Sequence, residues 1–122
     1  MAKILIADDE TYSLRLLQMT LKKTGCDIIP CKNGQEAVDQ AQEEVPDLIV
    51  MDVMMPVMDG LAALAELKNN ATTRDIPVIM LTAKGQTLTR TEAEESGAEH
   101  FVTKPFSPTE LLAEVKKHLP AG

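Results

Sequence analysis

Four short apolar runs each end in a residue able to handle phosphate or a hard cation, and segments of helical pattern separate them. Ile4–Ala7 leads into Asp8 and Asp9, Leu48–Met51 into Asp52, Val78–Leu81 into Thr82, and Phe101–Thr103 into Lys104. Runs that are apolar on both faces suit a parallel sheet, whose strands need crossover helices between them. As parallel strands of one sheet, they gather Asp8, Asp9, Asp52, Thr82 and Lys104 at its carboxyl edge, where open α/β sheets bind ligands. A carboxylate cluster can hold a hard cation, a hydroxyl and an ammonium can meet phosphate oxygens, and one carboxylate can attack phosphorus.

The chain reads as five strand–helix units. Strands are expected at 3–7, 26–30, 47–51, 76–81 and 100–103, and helices at 12–24, 34–44, 60–69 and 85–96, with a last helix after Ser107. The first helix has Leu14, Leu17 and Leu21 on one stripe, joined by Leu16 and Met19, and Gly25 stops it. Strand two ends at Pro30, which suits a place near the sheet edge. Asn33 with Glu36 looks like a cap and its capping-box partner for the second helix, whose inner face uses Ala37, Val38 and Ala41. Asp59 reads as a loop or cap residue, and Leu61, Leu64 and Leu67 line the third helix. The fourth is a poor helix by composition, since Thr87, Thr89 and Thr91 are mediocre formers and most neighbours are polar. A weakly packed helix beside a reactive edge is where movement is cheap. Ser107-Pro108-Thr109-Glu110 opens the last helix with a cap, a proline at N1 and an acid at N3, and Leu111, Leu112, Val115 and Leu119 give it an apolar face. Repeated βα units imply right-handed crossovers with helices on both faces of the sheet.

Residues 1–122 form one domain on this reading, and Pro120-Ala121-Gly122 is either a stop or the start of a linker to an output domain. With two Phe and one Tyr, the core rests on Leu, Ile, Val, Met and Ala. The net charge of −7 argues against nucleic-acid binding by this domain. No apolar run is long enough to span a bilayer and no signal peptide is evident, so a cytoplasmic location is expected. Cys26 and Cys31, with four residues between them, match neither a redox nor a metal pair and read as reduced thiols. His100 and His118 lack a Cys or His companion at ligand spacing; the first is read as a surface residue, the second as a cation favourable to a helix end. Met51, Met54, Met55, Met58 and Met80 read as core and loop filler.

Taken together, Ile6-Ala7-Asp8-Asp9-Glu10, the run Asp47 to Gly60 (DLIVMDVMMPVMDG), Val78-Ile79-Met80-Leu81-Thr82-Ala83 and the run Gly97 to Phe106 (GAEHFVTKPF) resemble a bacterial two-component response-regulator receiver domain, in order and over the whole chain. The resemblance implies a doubly wound, flavodoxin-like (βα)5 sandwich with a five-stranded parallel sheet of order 2-1-3-4-5. It implies phosphorylation of Asp52 by a sensor histidine kinase or a histidine phosphotransfer protein. By position, Asp8 and Asp9 resemble the metal-holding acids, with Asp9 favoured as the direct ligand, and the Met54 carbonyl resembles the third protein ligand. Thr82 resembles the switch hydroxyl, Phe101 the switch aromatic and Lys104 the phosphate-contacting lysine, and Lys104-Pro105 resembles the family's cis bond. Phe101 stands where many relatives have tyrosine.

Three carboxylates in one cleft repel each other and need a neutralising partner. Mg²⁺ supplies it, with Mn²⁺ as a substitute of the same ligand preference, and Lys104 is the second counter-charge. Glu10 is open between support of that site and plain solvated surface. Asp52 then attacks the phosphorus of a phosphohistidine or of acetyl phosphate without a general base, and the product is slowly hydrolysed. Such a chain is not a conventional enzyme, although it catalyses its own phosphorylation and autodephosphorylation. The output is expected through the face of helix four, strand five and helix five. It passes to a downstream protein or to a covalently linked module, as in a DNA-binding regulator or a hybrid kinase. A monomer or a weak phosphorylation-dependent dimer is expected; Glu99 fits the family's dimer surface, but Thr109 and Glu114 replace its usual arginines. The competing reading, an aspartate-nucleophile phosphohydrolase, lacks the acid two residues after the nucleophile, where Met54 stands. A nucleotide switch lacks its GxxxxGK[ST] loop.

Overall fold

The computed structural model of the chain describes residues 2–83 and 90–120. Along it run β1 (Lys3–Ala7), α1 (Thr11–Leu21), β2 (Asp27–Cys31), α2 (Gly34–Glu44), β3 (Leu48–Asp52), α3 (Gly60–Lys68), β4 (Val78–Ala83), α4 (Arg90–Glu95), β5 (His100–Lys104) and α5 (Pro108–His118). The five strands are parallel and ordered β2-β1-β3-β4-β5. This is the doubly wound order expected above.

Alternation along the strands divides the core in two. Leu5, Ala7, Ile49, Met51, Val78 and Met80 face one way, against Ala37, Val38 and Ala41 of α2 and Ala63, Leu64 and Leu67 of α3. Ile4, Ile6, Leu48, Val50, Ile79 and Leu81 face the other way, against Leu14, Leu17 and Leu21 of α1 and Leu111 and Val115 of α5. The central strands are therefore sealed on both sides, and their polar carboxyl ends are left to form a site.

The helices begin where their caps dictate. Asn33 Oδ1 accepts from the Glu36 N–H at 2.9 Å, while Glu36 reaches back to the Lys32 N–H at 3.1 Å, one residue earlier than in a standard capping box. Asp59 caps α3 by accepting from the Ala62 N–H at 2.8 Å, and Ser107 caps α5 from the Glu110 N–H at 3.4 Å. α1 is shorter than expected: it gives way to a 3-10 turn at Lys22–Thr24, which Gly25 closes at φ 80°. Met19 does not join the stripe of α1 but stands 69% exposed. At about 100° per residue it lies on the far side of the helix from Leu14 and Leu21.

Strand two runs one residue past Pro30, which pairs opposite Ile6 in an edge strand. The expected start of the fourth helix at 85 lies outside the described residues. Cys26 and Cys31 are free thiols, and burial pushes Cys31 up to about 12, so it stays protonated and inert.

Candidate phosphoacceptor cleft

Strand order reverses between β1 and β3, because β1 is followed by a neighbour on one side and β3 lies on the other. The chains leaving the two strands part there, and Asp8 and Asp52 stand on either side of the parting. Asp8 is fully buried just beyond β1; Asp52 is the last residue of β3 and 4% exposed. Lys104, the last residue of β5, reaches past β4 to meet Asp52 at the end of β3 and Asp8 beyond β1. Its Nζ donates to Asp52 Oδ2 at 2.6 Å and to Asp8 Oδ2 at 2.9 Å, and lies 3.8 Å from Glu10 Oε1. The Lys104-Pro105 peptide bond that follows is cis.

Each carboxylate is also held from its own loop. Asp8 Oδ1 accepts the Glu10 N–H at 3.0 Å, an Asx turn that folds the chain back on itself. Asp52 Oδ1 accepts the Met54 N–H at 3.2 Å. Gly60 ties that second loop down by donating to the Val53 carbonyl at 2.7 Å, and a Cβ at Gly60 would overlap the Asp52 carbonyl oxygen. Gly34 makes a comparable close approach, donating to the Met58 carbonyl at 2.9 Å where a Cβ would collide with the same oxygen. The start of α2 is thus packed directly on the loop after β3.

Burial pushes the Asp8 carboxyl above its ordinary value, and the negative charge of Asp52 adds to the rise; the Glu10 N–H and Lys104 pull it down without cancelling it. Burial alone would lower Lys104, but the hydrogen bonds and charges of Asp52 and Asp8 outweigh it and hold the ammonium above its usual range. One lysine therefore leaves the cluster short of positive charge.

One carboxylate oxygen from each of Asp8, Glu10 and Asp52 lies within 4.8 Å of the other two. An all-oxygen set of this spacing fits a hard divalent cation, and the unrelieved burial of Asp8 favours one. Asp9 and Glu10 are both exposed and line the cleft, and a Glu10 carboxylate oxygen completes the triplet. The spacing Asp-x-Glu was the available sequence signal for that role. The cleft holds about 500 Å³, with Tyr12, Leu16, Met54 and Phe106 as its apolar wall.

Thr82 is half-buried in β4, one residue beyond Leu81, which pairs with Asp52. Phe101, half-buried in β5, packs against the α2–α3 side of the core. Met54 is 63% exposed at the rim.

Comparison with known proteins agrees with this geometry. The alkaline phosphatase synthesis transcriptional regulatory protein PhoP of Bacillus subtilis is 43% identical over 114 residues, 93% of this chain and 47% of that protein. The chain thus spans about half the length of the curated relatives it matches. A putative response regulator from Chloroflexus aurantiacus superposes with a TM-score of 0.88 at 31% identity, covering 95% of both chains. The receiver domain of a Pseudomonas aeruginosa sensor histidine kinase superposes at 0.87 with 27% identity over 96% of both chains, and that structure has a magnesium ion coordinated in its active-site cleft. The family model described as the response regulator receiver domain matches residues 4–116, from the first strand to the last helix. This chain belongs to the response regulator receiver domain family, and its place is in two-component signalling.

Proposed function

We propose that Asp52 is the phosphoacceptor of this receiver. The observation that carries the reading is its carboxylate at the end of a central strand, drawn to 2.6 Å from Lys104 and bordering an open cleft. A carboxylate oxygen attacks the phosphorus of a phosphohistidine on a sensor kinase or phosphotransfer protein. The P–N bond breaks, its electrons return to the imidazole, and an aspartyl phosphate forms. Acetyl phosphate serves in the same way, with acetate leaving. Water later attacks the phosphorus, releases inorganic phosphate and restores the carboxylate.

Asp8, Glu10 and Asp52 would hold a divalent ion, with Asp9 and the Met54 carbonyl at the rim as further oxygen donors. Mg²⁺, or Mn²⁺ in its place, supplies neutralisation of the charge on the transferring phosphoryl oxygens. Lys104 supplies the remaining positive charge from the opposite side. The phosphoryl group adds about −1.5 to −2 charges. The Thr82 hydroxyl turns toward them, and Phe101 fills the space it leaves, changing the face of α4, β5 and α5. No helix among the described residues is long and apolar enough to cross a membrane. The output is a downstream protein or a linked domain, and the transcriptional regulators among the relatives favour a DNA-binding one.

The test is incubation with acetyl phosphate and Mg²⁺ followed by intact-mass measurement. One phosphoryl group per chain is expected, absent from Asp52→Asn and from the Mg²⁺-free sample. Full phosphorylation of Asp52→Asn would refute the assignment. For the switch, Thr82→Ala should still be phosphorylated but should lose the accompanying change in Phe101 environment, read by nuclear magnetic resonance. An unaltered Phe101 response in that variant would refute the coupling.

A further inference from the structure

Asp52 lines the cleft but is only 4% exposed, so a phosphodonor has to bring its phosphorus inside. Displacement at phosphorus sets the entering oxygen and the leaving atom in line, which points the leaving group away from Asp52 and toward the cleft mouth. Tyr12 lines the same cleft and stands 80% exposed, beside Leu16 and Met54. We propose that the Tyr12 ring is the leaving-group subsite of this receiver, a surface that selects the imidazole of a phosphohistidine over an acyl leaving group. The inference rests on Asp52 as acceptor and extends that reading to the choice of donor.

Local structure presents the ring. Tyr12 lies in the first turn of α1, directly after the turn in which Asp8 accepts the Glu10 N–H. Leu14, Leu17 and Leu21 bury the inner face of that helix. Two residues before Leu14, Tyr12 is about 200° away around the helix and is turned out of the core. Phe101 and Phe106 pack against the core, so Tyr12 alone of the three aromatics offers an open ring face.

The chemistry suits an imidazole donor. Protonated on its second nitrogen, a phosphorylated imidazole is a flat ring with positive charge, and the face of a tyrosine attracts such a cation. Asp9 and Glu10, exposed along the same cleft, add negative potential to the approach. As the Asp52 oxygen bonds to phosphorus, the P–N bond breaks and its electron pair stays on nitrogen. The ring then leaves as neutral imidazole with no further proton required. Stacking on Tyr12 persists as that charge is lost. Acetyl phosphate has neither the ring nor the positive charge for Tyr12 to meet.

The test follows phosphorylation of the full chain by intact mass in excess Mg²⁺, with N-phosphoimidazole and with acetyl phosphate in separate time courses. kcat/KM is measured for each donor in wild type, Tyr12→Ala and Tyr12→Phe at one pH and ionic strength. Tyr12→Ala should lower the ratio of the two values, phosphoimidazole over acetyl phosphate, by roughly fivefold. Tyr12→Phe keeps the ring face and should hold the ratio within about twofold of wild type. General damage to the fold or the metal site affects both donors and cancels in the ratio. An unchanged ratio in Tyr12→Ala, or an equal fall in Tyr12→Phe, would overturn the proposal. Failure of the acceptor reading has a separate signature, no mass gain from either donor or a gain that persists in Asp52→Asn, and it would overturn this proposal too.

Discussion

Asp8→Asn removes a charge that the fold holds at a loss. An asparagine of the same shape keeps the acceptor for the Glu10 N–H, now 3.0 Å away, but sets its NH2 donor where Oδ2 accepts from Lys104 at 2.9 Å, so the ammonium must shift toward Asp52, its partner at 2.6 Å. Three effects act on the ionised Asp8. Oxygens of Asp8 and Asp52 lie within 4.8 Å, and like charges at that distance repel by about 3.5 kcal/mol at an effective dielectric near 20. Lys104, at 2.9 Å, attracts Asp8 by about 6 kcal/mol on the same scale. Against the net attraction of about 2.5 kcal/mol stands the larger cost of stripping water from a fully buried carboxylate, several kcal/mol, which decides the sign. The substitution should stabilise the metal-free protein by about 1–2 kcal/mol near neutral pH, or about 5 °C in melting temperature.

The pH dependence follows from the direction of the shift. The Asp8 carboxyl is raised above 3.8 in the folded state, so the native protein binds its proton more tightly than the unfolded chain. Wild type therefore loses stability relative to Asp8→Asn as pH climbs from below 3.8 through the raised value, and the gap stays constant above it. Urea melts across that range measure it directly. Adding Mg²⁺ should stabilise wild type and narrow the gap. A variant less stable than wild type at neutral pH without metal, or a gain that grows on acidification, would refute the reasoning.

Other substitutions probe the supports of the cleft. Gly60→Ala pushes a methyl group into the Asp52 carbonyl and should cost about 3 kcal/mol in urea denaturation while slowing phosphorylation. Asn33→Ala leaves the Glu36 N–H without its cap and should cost about 1 kcal/mol, with no effect on phosphorylation from acetyl phosphate. Lys104→Met leaves Asp8 and Asp52 facing each other and should cost about 2–3 kcal/mol at neutral pH without metal. Because Lys104 is held above 10.5, the advantage of wild type over that variant should persist below 10.5 and disappear as pH rises through the raised value.

The fold was legible in the sequence because each central strand is apolar on both faces and each carries a polar residue at its carboxyl end. Asn33, Asp59 and Ser107 could be read as caps because a cap acts within three residues of itself. Features that depend on three-dimensional approach were not legible. Met19 looked like part of the α1 stripe because it is apolar, but its angular position turns it outward. The approach of a Glu10 carboxylate oxygen to within 4.8 Å of oxygens of Asp8 and Asp52 depends on how the chain turns after β1, where the Glu10 N–H donates to Asp8. Val57, at φ 69° and 82% exposed, adopts a backbone conformation that β-branched residues avoid, and nothing in the local sequence announces it. The pairing of His100 and His118 through Glu114 was hidden in the same way, since one member lies on a strand and the other two on a helix.

The central claim is that the phosphoryl group resides on Asp52, and chemical trapping tests it most directly. After incubation with acetyl phosphate and Mg²⁺, borohydride reduces an aspartyl phosphate to homoserine, and peptide mass spectrometry locates the altered residue. The expected result is homoserine at position 52 alone, in proportion to the phosphorylated fraction seen by intact mass. Homoserine at Asp8 or Asp9, or stoichiometric phosphorylation with Asp52 unaltered, would contradict the claim.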